Sequence, residues 1–271
     1  PTDIILESDL IDEFLAQYKV LYLQGLNLSK RHLAAVRRWV ENGGTLIAIA
    51  STAIRDAYNS QMDDAEKIFG ARQQFAGSSQ GGWHPQALPK HKPIDSLKLK
   101  ASELTPELTV DVIGVMAVLQ PTTGKSIGTF SDGSCGAVIN TIGQGRTLLL
   151  GITPGHIYKG KTAGSSRYTL DLRPLITFPA ERTLGQQDVT YSEPQTEICR
   201  FDHGSGIAVT LSNFDYFTEP KERPVELTIK TNREITQVTS SLKGPLKWTR
   251  EGDRIKVKLK SPQTVDVVIF K

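Results

Sequence analysis

The sequence predicts an α/β fold, a parallel sheet with an antiparallel extension, followed by a C-terminal all-β sandwich. Three observations predict it. Tyr18–Tyr58 reads as strand, helix and strand with short links. From Ser96 onward strands follow one another without helices between them. From Val189 short strands recur at roughly the 8–12-residue spacing expected of a sandwich. A strand–helix–strand unit with short links makes a right-handed crossover, and a right-handed crossover gives parallel neighbours.

Taken in order, Ile4–Leu6 is a short apolar run and predicts a strand, and Asp9–Gln17 (DLIDEFLAQ) predicts an amphipathic turn or two. Lys19–Leu23 is β-branched and aromatic, as a strand should be. Ser29 sits where a helix N-cap belongs, its hydroxyl free to accept from an otherwise unpaired backbone N–H. Leu33, Val36 and Val40 then share one helix face, with Lys30, Arg31, Arg37 and Arg38 on the others. Asn42-Gly43-Gly44 stops the helix, because its left-handed end is cheapest for Gly or Asn. Thr45–Ala50 (TLIAIA) is apolar almost throughout, which predicts a strand covered on both faces.

Met62–Phe69 predicts a short helix stopped at Gly70, and Gln73–Pro93, rich in Gly, Ser, Gln and Pro, predicts a long surface loop. Strands resume at Ser96–Lys100, Val110–Val112, Val115–Gln120 and Ser126–Phe130, with a turn at Asp132-Gly133. Ala137–Asn140 and Arg146–Ile152 form a hairpin about Gly143-Gln144-Gly145 that runs out at Thr153-Pro154-Gly155. Arg173 to about Pro179 is the last element of the first domain, so the domains are predicted as 1–180 and 181–271. In the second, the strands are predicted at 189–192, 196–201, 206–214, 225–230, 234–241, 245–250, 254–260 and 265–270. Strict alternation through Ile255–Lys260 buries one face and wets the other, and Glu251-Gly252-Asp253 is a hairpin turn. The many Lys and Arg alternate with carboxylates and read as a solvated face.

Composition bounds the function. At 271 residues the chain has room for two domains of ordinary size. Its 38% hydrophobic and 23% charged residues describe a soluble globular protein. A net charge of +3, without a basic cluster interleaved with aromatics, predicts no nucleic-acid partner. The longest apolar runs are strand-length, which predicts no membrane partner. Cys135 and Cys199 are too few for a disulfide framework and read as two buried free thiols. Without a CxxC or a His-rich cluster, no metal and no cofactor is expected. The first residue is Pro1 rather than Met, which predicts a processed product or a piece of something longer. The compartment, whether periplasmic, extracellular or cytoplasmic, stays open.

The order YKVLYL, SKRHLAAVRRWVENGG, TLIAIASTAIRDAYN resembles the middle of a class I glutamine-amidotransferase-like domain, whose sheet is flavodoxin-like. It is most similar to the non-catalytic form called the β-galactosidase trimerisation domain, attached to barrel glycosidases. GTFSDGSCGAVINTIGQGRTLLLGITPGHIY is similar to that family's later strand, turn and glycine-arginine-strand-glycine ending. A terminal sandwich closing in VDVVIF fits the same architecture. The resemblance covers most of 3–179 and, more loosely, the tail. It implies a flavodoxin-like parallel sheet with an antiparallel extension. Such domains usually open with the strand and helix at the sheet's centre, whereas here the pattern begins as though at the second strand. That order predicts an upstream piece supplied elsewhere, circular permutation being the alternative.

The resemblance also locates where chemistry would be. In working amidotransferases the strand matching Thr45–Ala50 ends in a Cys on a strained elbow, with a His and a Glu on a later strand end. Here the elbow carries Ala50-Ser51-Thr52. The later strand end places His156 near the base position, but Tyr158 stands where the Glu would be. A serine hydroxyl needs an oriented base more than a thiol does, because its pKa is much higher. Ser51 and His156 are therefore weak catalytic candidates, against a structural serine capping the next helix turn. Asp56 and Asp132 are open as third members, and nothing in the spacing selects either.

Other residues offer less. Cys135 lies in a Gly-rich neighbourhood but begins an apolar strand, which predicts a packed thiol. His84 and His91 are spaced unlike a compact metal motif. Trp83 with His84 on the Gly-rich loop offers a ring for sugar stacking, against a Trp folded over the sheet edge. Asp63-Asp64 and Asp12-Glu13 lie on helices facing water rather than as the facing acids of a glycosidase. The leading expectation is a non-catalytic accessory or oligomerisation unit of a carbohydrate-active protein, partnered by self-association or a neighbouring catalytic domain. The alternatives are a weak hydrolase using Ser51 and His156, and a carbohydrate-binding module using Trp83 and the sandwich surface.

Overall fold

The computed structural model describes residues 3–78, 93–155, 172–185, 187–192, 196–214 and 223–271. The fold is mixed α/β, and the chain divides into two compact units, Thr2–Gly185 and Gln186–Lys271.

In the first unit β1 (Val20–Leu23) leads into helix α2 (Lys30–Glu41) and then β2 (Thr45–Ala48), after a single-turn helix α1 (Asp12–Leu15). Ser29 caps α2, its hydroxyl accepting from the His32 N–H at 3.3 Å. β1 and β2 pair in parallel, Val20 opposite Thr45 and Leu23 opposite Ala48. Helix α3 (Asp64–Phe69) ends at Gly70 in the left-handed conformation, φ 66°. The remaining strands are β3 (Ala71–Ser78), β4 (Asp95–Leu99), β5 (Leu108–Val112), β6 (Val115–Pro121), β7 (Lys125–Phe130), β8 (Cys135–Ile142) and β9 (Gly145–Leu150). Helix α4 runs over Arg173–Leu184, so the element expected to finish near Pro179 continues past it.

Seven strands form one sheet in the order β1-β2-β9-β8-β7-β4-β5, and β3 pairs with β6 in a separate ribbon. β2 and β9 are parallel, with Thr45 opposite Arg146, whereas β9 and β8 are antiparallel, as are β8–β7, β7–β4 and β4–β5. Strand β9 is thus the seam where a three-stranded parallel half meets an antiparallel half.

Both faces of this sheet are buried at its centre, along β2 and most of β9 and β8, which explains the unbroken apolar character of TLIAIA. Leu46, Ala48, Val138 and Leu149 point to a core built with Leu33, Val36 and Val40 of α2 and Ile68 and Phe69 of α3. Ile47, Ala137, Leu148 and Leu150 point to the opposite core, with Leu97, Leu99, Val110, Val112, Leu172 and Leu175. Each fully buried aliphatic side chain contributes on the order of 1.5–3 kcal/mol. Tyr22 joins α4 to β1 by donating from its hydroxyl to the Ile176 carbonyl, and burial pushes its pKa up to about 12.

The β8–β9 turn sits directly on the C-terminal end of α2. The Gln144 N–H donates to the Glu41 carbonyl at 2.8 Å. A Cβ at Gly145 would lie 1.8 Å from the Val40 carbonyl oxygen, so the Gly-Gln-Gly turn is required by backbone contact.

Three expectations are corrected. Ile4–Leu6 is not a strand: among the described residues no strand pairs with it, Ile4 is 97% exposed, and Leu6 instead starts a 3₁₀ turn over Glu7–Asp9. The first part of the segment read as a loop, 73–78, belongs to strand β3, because the apolar β6 supplies its antiparallel partner; 79–92 lies outside the described residues. Cys199 is exposed and Cys135 half-buried, so the two free thiols are not both interior. Cys199 points outward because its strand alternates and Ile198 and Arg200 take the more covered positions.

Among its described residues the second unit is built of strands and turns. Its strands are β10 (Val189–Tyr191), β11 (Thr196–His203), β12 (Gly206–Asn213), β13 (Pro224–Lys230), β14 (Val238–Ser240), β15 (Gly244–Pro245), β16 (Trp248–Glu251), β17 (Arg254–Lys260) and β18 (Val265–Phe270). They form a four-stranded sheet β10-β13-β17-β16 and a five-stranded sheet β11-β12-β18-β14-β15. Ile207, Val209, Leu211, Leu227, Ile229, Ile255, Val257, Val268 and Phe270 of the two sheets share one core, at the two-residue period the sequence shows. The run expected as one strand over 245–250 is two, β15 and β16, in different sheets. Asp266, 2% exposed, is satisfied by the Ser240 hydroxyl at 2.7 Å, the Ser241 hydroxyl at 2.9 Å and the Val267 N–H at 2.8 Å.

The turn contact gives a paired test. Gly145→Ala drives a methyl into the Val40 carbonyl and should unfold the first unit or lower its unfolding temperature sharply. Gly133→Ala, at φ +83° with open space around it, should cost only about 1–2 kcal/mol by thermal or urea unfolding.

Candidate functional site

The carboxyl ends of parallel strands are where open α/β sheets bind ligands, because the chain departs there in different directions and leaves a crevice. In this sheet β1, β2 and β9 end side by side at Leu23, Ala48 and Leu150. The segments beyond are Gln24-Gly25, Ile49–Ala53 and Gly151–Gly155.

The segment after β2 is a tight elbow. The Ala50 N–H donates to the Ile152 carbonyl at 3.1 Å, tying it to the end of β9, and the Ala53 N–H donates to the Gly25 carbonyl at 2.8 Å, tying it to the end of β1. Thr52, 1% exposed, accepts at its hydroxyl from the Ile49 N–H and donates to the Leu23 carbonyl, both at 3.3 Å. Between these ties Ser51 and Ala53 adopt φ of 67° and 54°, conformations that cost L-residues about 1–2 kcal/mol each. Ser51 thus stands in a strained turn just past the end of β2.

Its chemistry is otherwise arranged. The Ser51 N–H donates to Gln73 Oε1 at 2.8 Å, and Gln73 Nε2 donates to the Thr52 carbonyl at 2.9 Å. A carboxamide from β3 therefore takes up the peptide groups of the elbow. Among the described residues no carboxylate or imidazole hydrogen-bonds the Ser51 hydroxyl. No helix follows the elbow either; Ser51–Ile54 is a turn, so Ser51 caps no helix, because the ties to Gly25 and Leu23 hold the chain against the sheet. His156, Trp83, His84 and His91 lie outside the described residues.

The remaining acid candidates have local duties. Asp56 Oδ1 accepts from the Tyr58 and Ser60 N–H groups, each at 2.9 Å, and closes its own loop. Asp132 accepts from the Ser134 hydroxyl and N–H, which hold its carboxyl below the usual range, in the turn between β7 and β8. Cys135 Sγ lies 3.1 Å from the Ser126 hydroxyl at the strand pair it begins, as a packed thiol does.

Two arrangements were not legible in the sequence. Gln73 fell in a segment read as loop, and only its pairing with β6 brings it to the elbow. The second is a Ser–His–acid trio at the start of α2. Ser29 Oγ and Glu7 Oε1 each lie 2.9 Å from His32 Nδ1, and the Ser29 N–H donates to Glu7 Oε1 at 2.8 Å. A relay needs the hydroxyl and the acid on different ring nitrogens. Here both meet Nδ1, so the trio is a helix cap that pins the 3₁₀ turn to α2. The His32 hydrogen bond, then the Ser29 N–H, hold the Glu7 carboxyl below its usual range.

No family model matches the chain, and no curated protein matches its sequence. Its fold is nonetheless shared with solved glycosidases. It is similar to the β-galactosidase from Bacillus circulans sp. alkalophilus, with a TM-score of 0.62 at 12% identity over 97% of this chain and 34% of that one. A catalytic mutant of Gan42B, a GH42 β-galactosidase from G. stearothermophilus, matches with a TM-score of 0.60 at 15% identity, over 96% of this chain and 33% of that one. The α-L-fucosidase isoenzyme 2 from Paenibacillus thiaminolyticus matches with a TM-score of 0.58 at 15% identity, over 94% of this chain and 41% of that one. The chain thus spans about a third of the β-galactosidase chains and resembles a domain of a larger protein.

The cap makes a pH prediction. A carboxyl depressed on folding contributes stability that is present above its unfolded value, 4.5, and is lost as pH falls through the folded one. Thermal unfolding from about pH 7 to pH 3 should show Glu7→Gln converging on the parent protein at the acid end. The gap at neutral pH should stay below about 1 kcal/mol, since Glu7 is half-exposed and screened.

Proposed function

We propose that the chain is a non-catalytic accessory or oligomerisation unit associated with carbohydrate-active, glycoside hydrolase-like proteins. The observation that carries this reading is the elbow. It keeps the strained turn after β2 but offers Ser51, whose N–H is taken by Gln73, in place of a thiol. The likeness to about a third of each β-galactosidase chain supports a unit that works beside a catalytic domain. In this reading residues 1–180 are an amidotransferase-like domain of the β-galactosidase trimerisation type and 181–271 a β-sandwich, which the core shared by two antiparallel sheets favours. Its partner is a second copy of itself or a neighbouring catalytic domain.

A second reading has one observation in its favour. Ser51 sits at φ 67° at the end of a parallel strand, the kind of turn that lifts a nucleophile out of a sheet. Under it, Ser51 acts with His156 as a hydrolase.

Light scattering at high concentration, alone and with a candidate catalytic domain, tests the first reading. A mass above the monomer or a stable complex is expected, and a strict monomer that binds no partner domain overturns it. A fluorophosphonate probe tests the second, which needs labelling at Ser51 that Ser51→Ala abolishes. The first reading expects no labelling.

A further inference from the structure

We propose that the β3–β6 ribbon is a strap closing the crevice at the carboxyl ends of β1, β2 and β9, and that the Gln73 carboxamide is its latch. Contacts beyond the ends of β2 and β9 bring the ribbon there. Gln73 of β3 spans the Ser51 N–H and the Thr52 carbonyl, donor to one and acceptor from the other. On β6, the Ala117 N–H donates to the Gly151 carbonyl at 2.8 Å, and Met116 pairs with Ile152 beyond the end of β9. The Thr153 hydroxyl accepts from the Val115 N–H and donates to the Ile113 carbonyl, both at 3.3 Å. A Cβ at Gly151 would stand 2.1 Å from the Ala117 carbonyl oxygen, so β6 lies directly on the departing chain.

The two strands of the strap are held differently. β6 is fixed by main-chain bonds to the end of β9, and its Ala117 and Leu119 are buried. β3 follows the helix stop at Gly70, and Arg72, Gln74 and Phe75 are exposed, Phe75 by 62%. β3 is paired with β6 along its length and Ala71 is buried at its start, but the side-chain bonds it makes to the elbow are those of the Gln73 carboxamide. That carboxamide has the one pattern the elbow can use. Its oxygen meets a donor and its nitrogen meets an acceptor on adjacent peptide groups. An apolar side chain of similar length makes neither bond, and each lost bond weakens closure by about tenfold or less. With the latch made, Gln73 takes up the Ser51 N–H and the Thr52 carbonyl and Ser51 is half-buried; lifting β3 exposes its hydroxyl further.

Gln73→Met tests this, because it keeps length and removes both bonds; Gln74→Met, one residue along and exposed, is the control. Amide hydrogen exchange in the Gln73→Met protein should rise about tenfold or more at 51–53 and 71–75, while Thr45–Ala48 and β17 keep their protection. Gln74→Met should leave all of these unchanged. A second measurement uses a Ser51→Cys reporter in a Cys135→Ala, Cys199→Ser background. Adding Gln73→Met should speed maleimide labelling at position 51 by about tenfold, and adding Gln74→Met should not. Unchanged exchange at the elbow, unchanged labelling, an equal effect of Gln74→Met, or exchange rising throughout the sheet would each overturn the latch. None of these outcomes bears on self-association, which is read by mass.

Discussion

Strand β2 has no free side. β1 and β9 flank it along its length, and its successive side chains enter cores on opposite faces of the sheet. A strand enclosed in this way can offer chemistry only where it ends, and the direction in which the chain leaves is decided by what the neighbouring strand ends will accept as hydrogen-bond partners. The Ala50 bond to Ile152 and the Ala53 bond to Gly25 fix that departure from both sides. Ser51, between them, adopts a left-handed conformation without a glycine's freedom. The elbow is a product of the enclosure, so its presence alone says nothing of catalysis. What distinguishes a working elbow is the set of groups turned toward it, and here that set includes a neutral side chain that satisfies two peptide groups at once.

The same enclosure relates the fold to its structural neighbours. Chains that share this architecture at 11–15% identity keep the geometry of the sheet while almost every side chain differs. Close backbone contacts depend on the absence of atoms more than on the identity of a side chain. Gly145 under the Val40 carbonyl and Gly151 under the Ala117 carbonyl are contacts of this type. They hold helix to turn and ribbon to sheet whatever the outer surface does.

Local signals made much of this legible from the sequence. The Ser29 cap, the apolar face of α2, its Asn-Gly-Gly stop, the doubly covered TLIAIA strand and the β8–β9 hairpin each declare themselves within a few residues, and each stands where the periodicity puts it. The alternation of Ile255–Lys260 likewise names its buried face. What escaped was decided at long range. Ala71–Ser78 is polar and glutamine-bearing, and it becomes a strand only because β6, some forty residues later, presents unpaired peptide groups beside it. Conversely Ile4–Leu6 has strand-forming residues but no partner among the described residues, and propensity without a partner yields no strand. The elbow's serine could be read from the resemblance, whereas its glutamine could not, since nothing near Gln73 in the chain points to Ser51.

The seam at β9 also bears on the order in which the first unit assembles. Its antiparallel edge is met by β8 across a tight turn, a pairing that needs little chain to be closed and that local contacts can form early. Its parallel edge must find Thr45–Ala48 across the whole intervening stretch of α3 and strands β3 to β8, a closure that is entropically expensive and correspondingly slow. Until that edge docks, β1 and β2 with α2 can pair with each other but leave one side of β2 open, an apolar strand with unsatisfied peptide groups. The hydrophobic continuity that makes β2 the axis of the finished sheet is, during synthesis, the segment most in need of an early partner.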